Sequence, residues 1–148
     1  MPASRGELIF CLLWCTFLFF HTFSVFQEKA RKAIRGKIDY MILIIRKKAT
    51  KEEIKKMAED FHGYIKVVVD IERETLAGGG KKHVDCEQML LEDGSRQDNL
   101  WGGGIDVQTK EIDYNSMINI RPSQGNMSRE IMDADIRQKF DKIVQILL

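Results

Sequence analysis

Nine residues from Arg121 to Arg129 (RPSQGNMSR) bring a dense set of polar donors together. A guanidinium such as that of Arg121 grips a phosphate or carboxylate through two parallel hydrogen bonds. Ser123, Gln124, Asn126 and Ser128 add neutral donors, Arg129 adds a second cation, and Pro122 with Gly125 supplies turn geometry. The segment joins a strand-like stretch to a region just before a helical one, where anions are often held. The pattern predicts a loop that binds an anionic group through Arg121, Ser123, Gln124, Asn126, Ser128 and Arg129. The competing reading is a structural loop whose side chains satisfy its own backbone.

A second constellation offers metal ligands. His83, Asp85 and Glu87 alternate, and Asp70 and Glu72 lie on the preceding strand-like run. Imidazole and carboxylate suit zinc, manganese or iron, and nucleases use such sets to hold a metal against phosphate. A small metal-dependent phosphodiesterase or nuclease is therefore the alternative function. If Asp85 caps a helix, however, its oxygens are committed to backbone N–H groups, and Glu87 serves the helix dipole. On that reading no metal or other cofactor is assigned. Gly78-Gly79-Gly80-Lys81-Lys82 fails as a phosphate loop, because Thr75 stands where that motif needs glycine and Lys82 where it needs Ser or Thr. Cys86 reads as a small buried hydrophobe. No Ser-His-Asp or Cys-His arrangement can be drawn around His62 and His83, and Trp101 and Tyr114 read as core side chains.

Composition narrows the classes. A chain of 148 residues, 44% hydrophobic and 30% charged, has room for one domain with a real core. Six basic and three acidic residues in 1–40 leave 17 basic against 19 acidic in 41–148. The domain has no global basic field, so nucleic acid would need a local patch. The other partners to expect are an anionic ligand or a protein. Cys11 and Cys15 lie in the leader, and a single thiol in the domain suits a reducing compartment.

Residues 1–40 read as an appendage. Leu8 to Phe26 (LIFCLLWCTFLFFHTFSVF) is apolar and about long enough to span a bilayer. Its basic flank follows it (Lys29, Arg31, Lys32, Arg35 and Lys37), the reverse of a signal peptide. As a membrane anchor, the segment would keep the domain in the cytoplasm. The favoured reading is that 1–40 is upstream sequence translated from too early a start, with Met41 opening a natural first strand. Both readings place the domain in the cytoplasm.

Positioning elements follow from periodicity. Met41 to Arg46 is a buried-strand run. Thr50-Lys-Glu-Glu53 is a capping box ahead of Ile54, Met57, Ala58 and Phe61, the apolar face of a helix that Gly63 stops. Ile65 to Ile71 and Thr75 to Ala77 predict a strand pair. Asp85-Cys-Glu-Gln88 predicts a second capped helix, burying Cys86, Met89 and Leu90. Leu100 to Val107 reads as a strand distorted by Gly102-Gly103-Gly104. Ile112 to Ile120 alternates as its hairpin partner, and Ile136, Phe140, Ile143, Val144 and Leu147 mark a last helix. The expected fold is α+β, in the order β-α-β-β-α-β-β-α: a mainly antiparallel sheet of about five strands with three helices on one side.

Several of these segments together resemble a known family. They are Val68-Val-Asp-Ile-Glu72, Gly79-Gly-Lys-Lys-His83, Leu90-Leu-Glu-Asp-Gly-Ser95, Leu100-Trp-Gly102 and, most specifically, Ser116-Met-Ile-Asn-Ile-Arg-Pro-Ser-Gln-Gly-Asn126 followed by Ser128-Arg129. Over 41–148 the chain resembles an uncharacterised prokaryotic family, domain-of-unknown-function family 5674. The resemblance implies a single cytosolic domain and carries over no catalytic residue. The run Gly102-Gly103-Gly104 departs from the larger strand residues expected there.

Overall fold

A computed structural model describes residues 41–148. The leader, with its candidate anchor at 8–26, lies outside the described residues. Among the described residues no helix is long and apolar enough to cross a membrane.

The domain is α+β, and its elements run in the expected order. They are β1 (Leu43–Ile45), α1 (Lys51–Ala58), β2 (Tyr64–Asp70), β3 (Thr75–Gly78), α2 (His83–Glu92), β4 (Leu100–Asp106), β5 (Ile112–Asp113) and α3 (Ala134–Leu147). The strands form one antiparallel sheet in the order β1-β3-β2-β4-β5. The Thr50 capping box forms in both directions, with Glu53 N–H donating to Thr50 Oγ1 at 3.2 Å and Thr50 N–H to Glu53 Oε2 at 2.8 Å. A 3-10 turn, Glu59–Phe61, extends α1, and His62 (φ +52°) takes the left-handed position ahead of Gly63.

Strand alternation sends successive side chains to opposite faces. Ile65, Val67 and Val69 of β2 join Leu76, Trp101 and Ile105 against Met57 and Ala58 of α1 and Phe140, Ile143, Val144 and Leu147 of α3. Val68, Ala77 and Leu100 point the other way and pack on Cys86 and Leu90 of α2. The helices therefore cover both faces of the sheet, not one as expected. The continuous apolar run Val67-Val68-Val69, buried at all three positions, is the signature of a strand covered on both sides. Burying a side chain such as Phe140 contributes about 1.5–3 kcal/mol.

Three further expectations need correction. The glycine-rich β4 is not distorted, for it pairs in unbroken register with β2 from Tyr64↔Asp106 to Asp70↔Leu100. Its glycines are a steric requirement: a Cβ at Gly103 would press on Phe140 and on the Asp113 carbonyl, and one at Gly102 on Ser116. Asp85 does not cap α2, which begins at His83 with Lys82 at the N-cap position and no side-chain cap. Finally, the alternation of 112–120 forms a strand only at Ile112–Asp113, after which Met117–Asn119 is a 3-10 turn. There the Asn119 side chain replaces a strand partner. Its Oδ1 accepts from Gly102 N–H and its Nδ2 donates to Gly102 O, both at 2.8 Å. That side-chain amide pairs with β4 as a backbone amide would.

Candidate functional site

On the α2 face of the sheet, near the start of β2, four titratable side chains converge from three elements. Lys66, Gly104 and Asp113 stand side by side in register across β2, β4 and β5. Because Gly104 has no side chain, the Tyr64 ring lies over it and its hydroxyl donates to Asp113 Oδ2. Any Cβ at Gly104 would overlap that hydroxyl. The Asp113 carboxylate is committed on both oxygens, since Oδ1 accepts from Asn115 N–H at 3.0 Å. Burial first, then the bond to Asp113 and its charge, hold the Tyr64 hydroxyl far above the ordinary tyrosine range. Tyr64 therefore stays a neutral donor.

His83, the first residue of α2, reaches over from the helix. Its Nε2 lies 2.7 Å from the carbonyl oxygen of Gly103. A carbonyl only accepts, so Nε2 carries the proton and Nδ1 presents its lone pair. No other bond to the ring occurs among the described residues. Burial lowers the His83 pKa from 6.5; the bond to Gly103 and the charge of Asp113 oppose this, and Lys66 reinforces it. Lys66 Nζ donates to Lys81 O at 2.9 Å and rides 4.5 Å from the centre of the Phe61 ring. Lys81 and Lys82 are exposed, in the loop that links β3 to α2. In that loop Gly79 has φ +95°, and a Cβ there would run into the Met41 carbonyl, so glycine is obligatory.

A pH dependence of stability follows. The unfolded chain protonates His83 near pH 6.5, before the folded chain does, so stability should decline as pH falls below about 6.5. Asp93, whose pKa is lowered chiefly by the Arg46 hydrogen bond, loses its contribution only below 3.8, so the two windows are separate. Urea unfolding of the wild type and His83→Gln between about pH 7.5 and 5 should show a slope that the variant lacks. Parallel profiles would exclude His83 as its source.

The residues expected to form a site are placed as follows. Arg121 turns inward. Its side chain is 10% exposed, its Nη2 lies 3.5 Å from Oε1 of the 9%-exposed Glu87, and Nε and Nη1 donate to the carbonyls of Ile118 and Gln97. Its guanidinium also lies 5.1 Å from the centre of the Trp101 ring. Asn126 is buried and braces the loop, donating to Asn119 O, Ser128 O and Glu130 O and accepting from Met132 N–H. Ser128 Oγ accepts from Glu130 N–H, and the Gln124 amide donates to Asp98 O. Ser123 and Arg129 are exposed. These six residues lie in one clasp, and Arg121, Gln124, Asn126 and Ser128 use polar groups on protein partners, those of Arg121 and Gln124 lying outside it.

The metal set does not assemble. Asp70 is buried with Oδ1 accepting from Glu72 and Arg73 N–H in the β2–β3 turn, and Glu72 faces Lys139 at 3.6 Å. Glu87 faces Arg121, and His83 faces Gly103. No group of three His, Cys, Asp or Glu side chains among the described residues is arranged to hold a metal ion. Cys86 is buried beneath the Gly79 carbonyl, with its thiol pushed up to about 12 by burial and by Asp85, against Lys66. Sequence reasoning found His83 but missed Tyr64, Lys66 and Asp113, whose meeting depends on sheet order.

Together these features define a small α+β domain with helices on both faces of an antiparallel sheet and a polar cluster at one end of it. The chain belongs to the family described as "Protein of unknown function (DUF5674)", whose profile matches residues 43–147. No curated protein and no solved structure matches the chain.

Proposed function

We propose that the domain is a binding module for an anionic group, phosphate in the first instance, held by Lys66 and His83 at the start of α2. The observation that supports this reading is the convergence of those two side chains beside Tyr64 over the side-chain-free Gly104. Of the nearby carboxylates, Asp113 has both oxygens engaged by donors from Tyr64 and Asn115, and Asp85 lies in the first turn of α2. Lys66 supplies a fixed positive charge, and His83 supplies a second once protonated on Nδ1. Lys82 adds charge at the rim, and the first amides of α2, which no side chain caps, add a favourable dipole. The Arg121–Arg129 clasp remains the rival anion site through its exposed Ser123, Gln124 and Arg129.

Titration of the full chain with inorganic phosphate and pyrophosphate, followed by amide NMR, separates the two. The reading requires saturable shifts at 78–84, Lys66 and Gly103, with affinity falling about tenfold in Lys66→Ala, the loss of one charge-assisted bond. Affinity should also rise as pH is lowered towards the His83 pKa. Shifts confined to 121–129, unchanged by Lys66→Ala, would move the site to the clasp.

A further inference from the structure

We propose that His83 is a phosphoryl-acceptor residue, taking a phosphoryl group on Nδ1 from a small donor with a good leaving group, an acyl phosphate or phosphoramidate. This rests on the anion-binding reading of the same site and extends it from binding to group transfer. The geometry is that of an oriented nucleophile. Donation from Nε2 to the Gly103 carbonyl at 2.7 Å fixes both the tautomer and the ring plane, leaving Nδ1 as the nitrogen with an available lone pair. A basic ring nitrogen held this way attacks phosphorus without first losing a proton. Lys66, paired across β2 and β4 with Gly104 and donating to Lys81 O just ahead of α2, is the cation to offset charge on the equatorial oxygens, as cations do in phosphoryl transfer. His83 is the first residue of α2, whose N-terminus has no side-chain cap and whose first turn also holds Asp85.

The step balances as a simple displacement. The Nδ1 lone pair forms a P–N bond while the donor's bond to phosphorus breaks. With phosphoramidate, already protonated on its nitrogen, the electron pair leaves on that nitrogen and ammonia departs; with an acyl phosphate, a carboxylate departs. The ring becomes an imidazolium that keeps its Nε2 proton on Gly103 O. Tyr64 takes no part as an acid, because its proton is held by Asp113.

His62 is an internal comparison, exposed and carried on a left-handed turn just ahead of β2. The full chain is treated with phosphoramidate, and acid-labile phosphohistidine is located by mass spectrometry and its isomer assigned by phosphorus–proton NMR. His83 should be labelled at least about tenfold faster than His62, on Nδ1, and Lys66→Ala should cancel that preference while leaving His62 unchanged. Labelling of His83 on Nε2, or no faster than His62, overturns the proposal. Saturable phosphate binding without selective labelling overturns it alone, and absence of both overturns it together with the anion-binding reading.

Discussion

Arg121→Ala is expected to lower the unfolding free energy by about 3–5 kcal/mol, the cost of leaving a buried carboxylate without its partner. The Glu87 side chain is 9% exposed, and besides Arg121 at 3.5 Å its only side-chain partner among the described residues is the Gln97 amide at 3.4 Å. Truncation would leave that carboxylate in a poorly solvated place and free the carbonyls of Ile118 and Gln97 as well. For a domain of this size the loss corresponds to more than roughly ten degrees in melting temperature. The control is the double variant Glu87→Leu with Arg121→Met. Removing both charges avoids the stranded carboxylate, and about half or more of the lost stability should return. Urea denaturation of wild type, single and double variants checks this. A single variant within about 0.5 kcal/mol of wild type, as is usual for surface substitutions, would mean the pair is not buried in solution. Phosphate affinity lost in proportion to stability would be a folding effect. Affinity lost in a variant that stays folded would return the anion site to the clasp.

The inward turn of Arg121 shows where sequence reading reaches its limit. Donor types and loop position are visible in the string of letters, but the direction of a side chain depends on what the fold places underneath it. Glu87 and Arg121 lie far apart in sequence and meet because α2 and the clasp share one face of the sheet. The same applies to the metal set. The alternation of His83, Asp85 and Glu87 puts all three on one side of a strand, whereas on a helix Asp85 turns away, and His83 and Glu87, one turn apart, are taken by Gly103 and Arg121. Local signals transferred well. The Thr50–Glu53 box, the apolar stripe of α1, the β2–β3 hairpin and the stripe of α3 depend on periodicity and capping within a few residues, and each formed as read. The Lys66–Gly104–Asp113 row did not announce itself, because it is created by β4 lying between β2 and β5. Its one trace in the sequence is the glycine run of β4, where Gly104 leaves room for Tyr64 to lie across the strand, as Gly102 and Gly103 do for Ser116 and Phe140. That run departs from ordinary strand composition, and such local departures concentrate at sites with a special task.

Asn119 provides the sharpest test of how the clasp is tied to the sheet. Its side chain is fully buried and satisfies both polar groups of Gly102, while Nδ2 also lies 2.8 Å from Tyr114 O and 2.9 Å from Arg129 O. Asn119→Ala should cost at least about 3 kcal/mol, since a buried N–H and several carbonyls lose their partners at about 1–3 kcal/mol for each group left unsatisfied. Asn119→Asp is the more telling variant. It keeps the shape and the acceptor for Gly102 N–H, yet it sets a carboxylate oxygen against the carbonyls of Gly102, Tyr114 and Arg129. If the amide's donors do the binding, Asp should be no better than Ala near neutral pH, and its stability should recover on acidification as the carboxyl gains a proton it can donate. Hydrogen exchange at Gly102 reports the same bond directly: its amide should be protected in the wild type and should exchange much faster in Asn119→Ala, while the β2–β3 pairing stays protected. Loss of protection in β2–β3 together with Gly102 would mean that the clasp and the sheet unfold as one unit. Unchanged protection at Gly102 would mean that Asn119 is not the partner that completes β4.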